Sequence, residues 1–329
     1  MPTKPAKARK MIEGGVAKKC WSKTGVFYIQ MLIPVGEAIQ DMALAIDPGS
    51  KYDGYAVSGE KEVVLKGMAV MPCKVSDKVT NRRQLRRARR YRNTRRRKQR
   101  SDNRKRGEGW IAPSQLVKVL FRIKIVRNLV KIFPINYLAV EDVCFNHYQK
   151  KWGKHFSTVE IGKTILYEEM ARHGYLKKFS GWQTAEARKV YGIKKISQKD
   201  AKTPESHAND AVAMLCSIFG RNVEKKSAFF VWRRPEFAKR SLHRQNFMKG
   251  GIRPSFGSTT NGTFFRKGDY VKASQGKKSF RGWVCGLPTE KTNKVAVCDA
   301  EGKRLGQCQK SKVKLLRRST GVLWQFLLA

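Results

Sequence analysis

The sequence has few acidic residues, and it lacks the patterns that mark membrane and secreted proteins. Against 70 Lys and Arg it has 25 Asp and Glu, which gives a formal net charge of +45 over 329 residues. No apolar run approaches the roughly 20 residues that a transmembrane helix needs. The first residues contain no apolar segment of the kind found in signal peptides. We therefore expect neither secretion nor a place in a membrane.

Paired cysteines are also missing. The seven Cys residues are odd in number and include no C-x-x-C pair. This scatter argues against a disulfide framework or a zinc ribbon, and it fits a reducing compartment. Apolar residues make up 41% of the chain, which excludes a wholly disordered basic tail. The length predicts about two domains with attachments.

The excess of positive charge indicates the kind of partner. The 25 acids cannot neutralise 70 basic side chains, so the chain repels itself unless a polyanion is bound. Nucleic acid is the expected polyanion. Charge alone does not separate a nuclease from a protein that packs ribosomal RNA or chromatin.

The basic residues are concentrated in one segment. Of the 25 residues from Arg82 to Arg106, 15 are basic and 13 of these are Arg. Leu85, Ala88 and Tyr91 recur every three residues and no Pro interrupts, which predicts a cationic helix. Folded segments on both sides disfavour a solvated tail, and Arg favours bidentate phosphate contacts. The arginines expected to contact a nucleic-acid backbone are Arg82, Arg83, Arg86, Arg87, Arg89, Arg90, Arg92, Arg95, Arg96 and Arg97.

The segments around this helix predict an α/β core that starts with a three-stranded antiparallel meander. Period-two and period-3.6 patterns define the elements. The strands are expected at 26–33, 42–46, 52–57, 63–70 and 137–141, and the helices at 114–133, 158–173, 183–191 and 206–219. From Phe264 onward, short alternating strands separated by Gly turns predict a small β-barrel.

Three acids lie where an α/β fold gathers its chemistry. Asp47 and Glu141 each end an apolar strand, and Asp210 opens an apolar helix. Three carboxylates brought together would repel each other unless divalent cations lay between them, and oxygen ligands suit Mg²⁺ or Mn²⁺. Two such ions about 4 Å apart would stabilise a phosphodiester displacement. His207, three residues before Asp210, could orient or deprotonate the attacking water.

Each of these residues also has a structural interpretation. Asp47 begins an Asp-Pro-Gly turn, Glu141 could pair with an arginine of the cationic helix, and Asp210 could serve in the first turn of its helix. His207 alone is more often a surface or capping residue. The order of the three acids, with the cationic helix between the first two, is what favours a catalytic set.

These residues carry a family resemblance. The segments Leu44–Gly49, Leu138–Glu141 and Ser206–Ala211 resemble the three split motifs of RuvC nucleases, which have an RNase H-like fold. The Arg-rich helix resembles the bridge helix of RNA-guided nucleases, and residues 1–9 resemble the PLMP region of the transposon-encoded IscB and IsrB proteins. Further segments that fit this family are Phe156–Lys163, Gly181–Thr184, Gly268–Asp269 and Gly302–Leu305.

The resemblance is to IsrB, the relatives of IscB that lack an HNH nuclease domain. Only 66 positions separate Glu141 from His207, and two predicted helices and a loop occupy them. The dipeptide Asn146–His147 is the sole hint of an HNH signature. The resemblance implies an RNA-guided nickase that hydrolyses the non-target DNA strand of an R-loop at one RuvC site. Asp47 would bridge two Mg²⁺ ions, with Mn²⁺ as a substitute, and Glu141 and Asp210 would complete their ligands.

The resemblance also implies an organisation and partners. The partners would be a guide (omega) RNA and a double-stranded DNA target with a flanking motif, bound by a monomeric protein in a prokaryotic cytoplasm. Tyr270, Arg281 and Trp283 would lie near the flanking motif. The expected units are a PLMP-like module (1–41), RuvC part I (42–80), the bridge helix (81–107), RuvC parts II and III (108–220), a basic RNA-contacting segment (221–263) and the motif-reading barrel (264–329).

Three alternatives remain open at this stage. The lone RuvC site could cut both strands of a guided target. A guide-free endonuclease that resolves junctions would account for the acids but not for the cationic helix or the barrel. A non-catalytic RNA-binding accessory protein would make the acids structural.

Overall fold

A computed structural model describes most of the chain. The described residues are 3–36, 40–72, 75–91, 106–144, 157–198, 201–224, 227–236, 263–288 and 292–327. Within these ranges no helix is long and apolar enough to cross a membrane. Much of the predicted RNA-contacting segment, residues 237–262, lies outside the described residues, as does the dipeptide Asn146–His147.

The N-terminal module is a helix followed by a hairpin. Helix α1 (Pro5–Glu13) starts with a proline, whose fixed φ suits the first helical turn. The antiparallel strands β1 (Ala17–Trp21) and β2 (Phe27–Met31) follow. The prediction of a strand within 26–33 is confirmed, whereas α1 and β1 were missed because their basic residues show no strong apolar period.

A seven-stranded mixed sheet forms the centre of the protein. Its strand order is β14-β8-β5-β4-β3-β6-β7. The predicted antiparallel meander is confirmed by the pairing of β3 with β4 and of β4 with β5, and β6 runs parallel to β3. The strands are β3 (Met42–Asp47), β4 (Tyr52–Gly59), β5 (Val63–Val70), β6 (Ile135–Glu141), β7 (Tyr175–Phe179), β8 (Ala228–Arg233) and β14 (Leu323–Leu327).

Helices cover both faces of this sheet, which confirms the α/β class. One face packs against α3 and α4, and the other against α5 and α7. The helices predicted at 114–133, 158–173, 183–191 and 206–219 are present with shifted ends, and the cationic helix is described as far as Tyr91, since residues 92–105 lie outside the described residues. The helices are α2 (Val75–Tyr91), α3 (Pro113–Val130), α4 (Lys163–Ala171), α5 (Gly181–Val190), α6 (Pro204–His207) and α7 (Asn209–Phe219).

Strand β3 shows how the sequence distinguishes the two faces. Successive side chains of a strand point to opposite sides. Leu44 and Ile46 pack in the cluster that includes α3 and α4, whereas Ala43 and Ala45 pack against α7. Because alanine is small, α7 comes close to the sheet on that side.

Two strands of the central sheet come from segments that the sequence assigns to other units. β8 lies within the predicted RNA-contacting segment, and β14 lies within the predicted C-terminal barrel. The reason is burial on both sides: Phe229 and Val231 pack with Met68 on one face, and Phe230 and Trp232 join the main cluster on the other. A strand covered on both faces is a short, continuous apolar run, which is easily missed in a basic segment.

The C-terminal unit is a five-stranded antiparallel sheet around its own apolar core. Its order is β12-β11-β10-β9-β13, and within the described residues the edge strands β12 and β13 are not paired with each other. The sheet is therefore open by hydrogen bonding where the sequence predicts a barrel. Its strands are β9 (Tyr270–Gln275), β10 (Lys278–Gly286), β11 (Lys294–Cys298), β12 (Arg304–Gln309) and β13 (Val313–Arg317).

Candidate active site

Two of the three predicted acids lie side by side at one edge of the central sheet. The register of the parallel pair aligns Ile46 of β3 with Val140 of β6, so Asp47 and Glu141 occupy the next matching positions. Side-chain alternation puts both carboxyl groups on the face that carries α5 and α7. The two carboxyl groups lie close enough for a hydrogen bond between them to raise the pKa of Asp47.

The third acid, Asp210, reaches the same place from α7. It lies in the first turn of the helix and is 5% exposed. Arg188 of α5 donates a hydrogen bond of 2.8 Å to Asp210 Oδ1, and the Lys195 ammonium group contacts Oδ2. The structure thus brings the three acids together and adds two cations that the sequence did not predict.

The electrostatics of Asp47 reflect this crowding. Desolvation by the surrounding protein raises the pKa of Asp47 well above its ordinary value, and the charges of Glu141 and Asp210 raise it further. Lys195 opposes these effects. Three carboxylates in one desolvated place favour either a bound proton or a bound cation.

Glu141 lies beside the beginning of α5. A Cβ atom added to Gly181, the first residue of that helix, would lie 3.2 Å from Glu141 Oε1. The helix begins with a capping box, in which Ser180 and Gln183 exchange hydrogen bonds. The partial positive charge at a helix N-terminus favours a nearby carboxylate. The charge of Glu141 is therefore supported by α5.

The segment that carries His207 lies directly against β4. Gly54 pairs with Asp47 across β3 and β4. A Cβ atom added at Gly54 would overlap the backbone oxygen of His207. The His207 ring packs on Tyr52, with 4.7 Å between the ring centroids. Gly54 thus permits the close approach that brings α7, and with it Asp210, to the sheet edge.

A buried ion pair holds the turn that follows Asp47. Arg122 of α3 donates two hydrogen bonds, of 2.8 and 2.9 Å, to Asp53, and a third of 2.8 Å to the backbone oxygen of Gly49. Lys118 donates to the backbone oxygen of Ser50 at 2.8 Å. Both basic residues are buried. Helix α3 therefore fixes the turn, and with it the end of β3.

The residues present fit a divalent cation. Among the described residues, no three His, Cys, Asp or Glu side chains already form a ligand set for a metal ion. The crowding of Asp47, Glu141 and Asp210, and the raised pKa of Asp47, mark the point where a cation would relieve repulsion. Asp47 and Glu141 would hold such an ion, and Asp210 would join them by exchanging its contact with Lys195.

Comparison with known proteins gives a family match over the first part of the chain. Residues 1–162 match the family model described as RRXRR protein. The segment Arg86–Arg90 of α2 reads Arg-Arg-Ala-Arg-Arg, in agreement with that description. A search of the curated proteins found no match.

Two solved structures resemble the chain weakly. One is described as T. thermophilus RuvC in complex with Holliday junction substrate; it is 15% identical, with a TM-score of 0.32, and the match covers 54% of this chain and 92% of that one. The other is described as Thermus thermophilus RuvC; it is 14% identical, with a TM-score of 0.28 over 54% of this chain and 96% of that one. Similarity at this level does not establish a common fold.

The predicted phosphate-binding arginines lie partly on α2. Four of them, Arg83, Arg86, Arg87 and Arg90, are exposed there. Arg82 and Arg89 belong to the same helix, but their side chains are not described. Arg92, Arg95, Arg96 and Arg97 lie outside the described residues. The backbone-gripping role of these arginines stays a prediction.

The three residues predicted to lie near a flanking DNA motif differ in accessibility. Trp283 is 7% exposed and packs with Tyr270 and Trp324, at centroid distances of 5.0 and 6.0 Å. This cluster joins β9 and β10 to β14 of the central sheet. Arg281 is exposed on β10, and Tyr270 is partly exposed. Motif recognition by these residues stays a prediction.

Sequence reasoning missed several residues that shape the site. Arg188 and Lys195 were not singled out because basic residues are common in this chain and neither has a distinguishing pattern. Arg122 did carry a signal: it interrupts the otherwise apolar run Val119–Ile123. A charged residue in such a position indicates a buried partner, here Asp53.

Proposed function

We propose that the chain is a divalent-metal-dependent nuclease whose active site is formed by Asp47, Glu141 and Asp210. More specifically, we propose an RNA-guided nickase that hydrolyses the non-target strand of an R-loop. The observation that carries the nuclease proposal is that Asp47 of β3, Glu141 of β6 and Asp210 of α7 come together at one sheet edge.

The chain's own residues have distinct tasks in this proposal. Asp47 and Glu141 hold the metal, and the α5 N-terminus supports the charge of Glu141. Arg188 and Lys195 position Asp210 and place positive charge next to the site. When bound, Mg²⁺ would supply charge stabilisation to the phosphate and lower the pKa of an attacking water. His207, on the segment that contacts Gly54, remains the candidate for orienting that water.

Charge and its location support a nucleic-acid partner. The net charge of +45 requires a polyanion, and α2 presents exposed arginines without an apolar covering. An Arg-rich helix suits the backbone of a structured RNA or of a heteroduplex, because backbone contacts position a nucleic acid without reading its sequence. The resemblance to IscB-type proteins and the match to the RRXRR family model support the guided form of the proposal.

A strand-resolved cleavage assay tests this proposal. The protein is co-expressed with its flanking non-coding DNA, purified with any bound RNA, and given Mg²⁺ and a target duplex labelled differently on each strand. We expect cutting of the displaced strand only, lost after RNase treatment and in Asp47→Ala.

The other outcomes separate the alternatives. Cutting of both strands would keep RNA guidance and overturn the nickase. Cutting that survives RNase treatment would point to a guide-free junction-resolving endonuclease. Absence of cutting in every condition, with RNA still bound, would favour a non-catalytic accessory protein.

A further inference from the structure

A basic cleft lies at the junction of the three parts of the protein. It has a volume of about 630 Å³ and lies between the turn of the N-terminal hairpin, helix α3 and the connection from β13 to β14. Its charged lining residues are Lys23, Lys124, Arg127, Lys131, Arg317 and Arg318.

Half of these cations already have structural partners. Arg127 pairs with Glu169 and Arg318 pairs with Asp269, each through contacts of 2.8 Å or less. Arg317 donates to the backbone oxygens of Trp21 and Ser22. These three arginines fasten the walls of the cleft, and they leave its electrostatic field positive.

The three lysines are different. Within the described part of the chain, no carboxylate pairs with Lys23, Lys124 or Lys131. Lys23 and Lys131 are exposed, whereas Lys124 is half-buried. A half-buried ammonium group without a counter-ion is costly, because it loses hydration and gains no partner in return.

Lys124 is also surrounded by like charge. Burial lowers the pKa of Lys124, and the neighbouring Arg234 and Lys23 lower it further. Its side chain extends toward the β13–β14 connection, where a Cβ atom on Gly321 would lie 2.6 Å from Nζ. The fold thus accommodates the Lys124 ammonium group without stabilising its charge. A bound anion would supply the missing counter-charge.

The cleft is separate from the carboxylates. The first half of α3 reaches the turn after Asp47 through Lys118 and Arg122. Lys124 follows Arg122 by two positions, about 200° around an ideal helix, and Lys131 lies about 14 Å beyond Arg122 along the helix axis. In addition, α3 covers the face of the sheet opposite to α7. An anion in the cleft therefore would not contact the acids.

We propose that the basic cleft binds the phosphodiester backbone of a nucleic acid through Lys23, Lys124 and Lys131, away from the site of cleavage. Three ammonium groups spread over an open cleft suit consecutive phosphates of a strand better than one free phosphate ion, which needs convergent donors. The walls come from three chain segments, so binding there would also hold the N-terminal hairpin and the C-terminal sheet against α3. This site goes beyond the proposed nuclease centre and does not depend on catalysis.

The test is a binding measurement in EDTA, which keeps it independent of the metal site. Labelled single-stranded RNA, duplex RNA and duplex DNA are titrated with the wild type, Lys124→Met, Lys131→Met, the double variant and Lys61→Met. Lys61 is an exposed lysine of the β4–β5 turn, so Lys61→Met removes the same charge at a site away from the basic cleft. At physiological salt we expect the double variant to bind the preferred polymer about tenfold more weakly than Lys61→Met, with a salt slope smaller by about two.

Thermal unfolding supplies a second readout. It separates a lysine that binds an anion from a lysine that stabilises the fold. Because the free protein does not stabilise the Lys124 ammonium group, Lys124→Met is expected to raise the melting temperature while it weakens binding. Lys131 is exposed, so its variant tests binding even if the Lys124 variant fails to fold. The polymer whose binding weakens shows whether the basic cleft holds single-stranded RNA, duplex RNA or duplex DNA. The proposal would be overturned if the double variant bound as tightly as Lys61→Met. It would also be overturned if inorganic phosphate displaced the probe at constant ionic strength.

Discussion

At the scale of single residues, Asp47 bears the largest electrostatic strain of the described site. Its carboxyl group is desolvated and close to two others, and Lys195 opposes the resulting rise in pKa. In the free protein, protonation of Asp47 would relieve this repulsion. A divalent cation would relieve the same repulsion and also support chemistry, because it neutralises the charges and leaves the carboxylate oxygens as ligands.

This strain predicts that Mg²⁺ stabilises the protein through Asp47. In EDTA, Asp47→Asn should raise the free energy of unfolding by about 1 kcal/mol, because it removes a repelled carboxyl group. A folded-state pKa above the unfolded one contributes stability that is full below the unfolded pKa and is lost as pH rises through the folded pKa. Wild type, and not Asp47→Asn, should therefore gain stability on acidification from neutral pH.

Thermal melts with and without Mg²⁺ check this prediction. Addition of Mg²⁺ should raise the melting temperature of the wild type and leave that of Asp47→Asn unchanged. Asp142→Asn is the matched control, because Asp142 pairs with Lys163 and hydrogen-bonds Tyr167. An equal Mg²⁺ response in wild type and Asp47→Asn would contradict the assignment of Asp47 as a ligand.

At the scale of elements, the sequence predicted the strands that end in Asp47 and Glu141, because their apolar runs are local patterns. It did not predict which acids share a face. Alternation along β3 and β6, once the parallel register is known, places both acids on the α7 side. The partners of Asp210 come from α5 and from the loop after it, and no local pattern relates them to α7. Non-local contacts of this kind were the part that sequence reasoning could not supply.

The close packing of α6 and α7 on β4 gives a prediction for Gly54. Alanine there would overlap the His207 backbone oxygen and push the segment before Asp210 away from the sheet. We expect Gly54→Ala to lower the cleavage rate about 100-fold and the free energy of unfolding by about 1–3 kcal/mol. Gly36→Ala, with no atom within 4 Å of the added Cβ, is the control for rate and melting measurements. Full activity of Gly54→Ala would show that the contact does not position the site.

The contact between α3 and α4 gives a pH prediction. Hydrogen bonds from Arg127, at 2.6 and 2.8 Å, and a contact with His173 lower the pKa of Glu169 to about 2. A depressed carboxylate pKa contributes stability above the unfolded value, about 4.3, that is lost as pH falls toward 2. Glu169→Gln should lower the free energy of unfolding by about 2 kcal/mol at pH 7. This loss should shrink as the pH falls from about 4.3 toward 2.

Denaturant unfolding at several pH values measures this effect. Glu168→Gln changes the exposed neighbour of Glu169 in the same helix and should have little effect at any pH. A cost of Glu169→Gln that stays constant from neutral pH to the acid end of the window would contradict the ion-pair account.

At the scale of the whole molecule, charge determines how the parts work together. The seven-stranded sheet includes β8 and β14, so the last strand of the chain completes the core that the first strands begin. The sequence predicted the unit boundaries from composition, and composition does not record that Trp232 donates to the backbone oxygen of Thr24, 208 positions away. The exposed arginines of α2 and the lysines of the basic cleft provide the expected interface with nucleic acid.

The predicted backbone contacts of α2 imply a steep salt dependence of RNA binding. Each phosphate contact that is lost lowers the slope of log K against log salt by about 0.7–0.9. Arg86→Gln, Arg87→Gln and Arg90→Gln together should therefore reduce the slope by about 2–3. Filter-binding titrations over a range of salt concentrations measure it. An unchanged slope would show that these exposed arginines do not contact phosphates.

The most direct test of the nuclease proposal compares two neighbouring acids at the end of β6. Glu141 faces the other carboxylates, whereas Asp142 pairs with Lys163 at 2.8 Å. DNA cleavage in Mg²⁺ is measured for Glu141→Gln and Asp142→Asn, with melting temperatures to confirm folding. We predict that Glu141→Gln loses cleavage by about 1,000-fold or more and that Asp142→Asn cuts at nearly the wild-type rate. Wild-type cleavage by a folded Glu141→Gln variant would contradict the assignment of this carboxylate cluster as the active site.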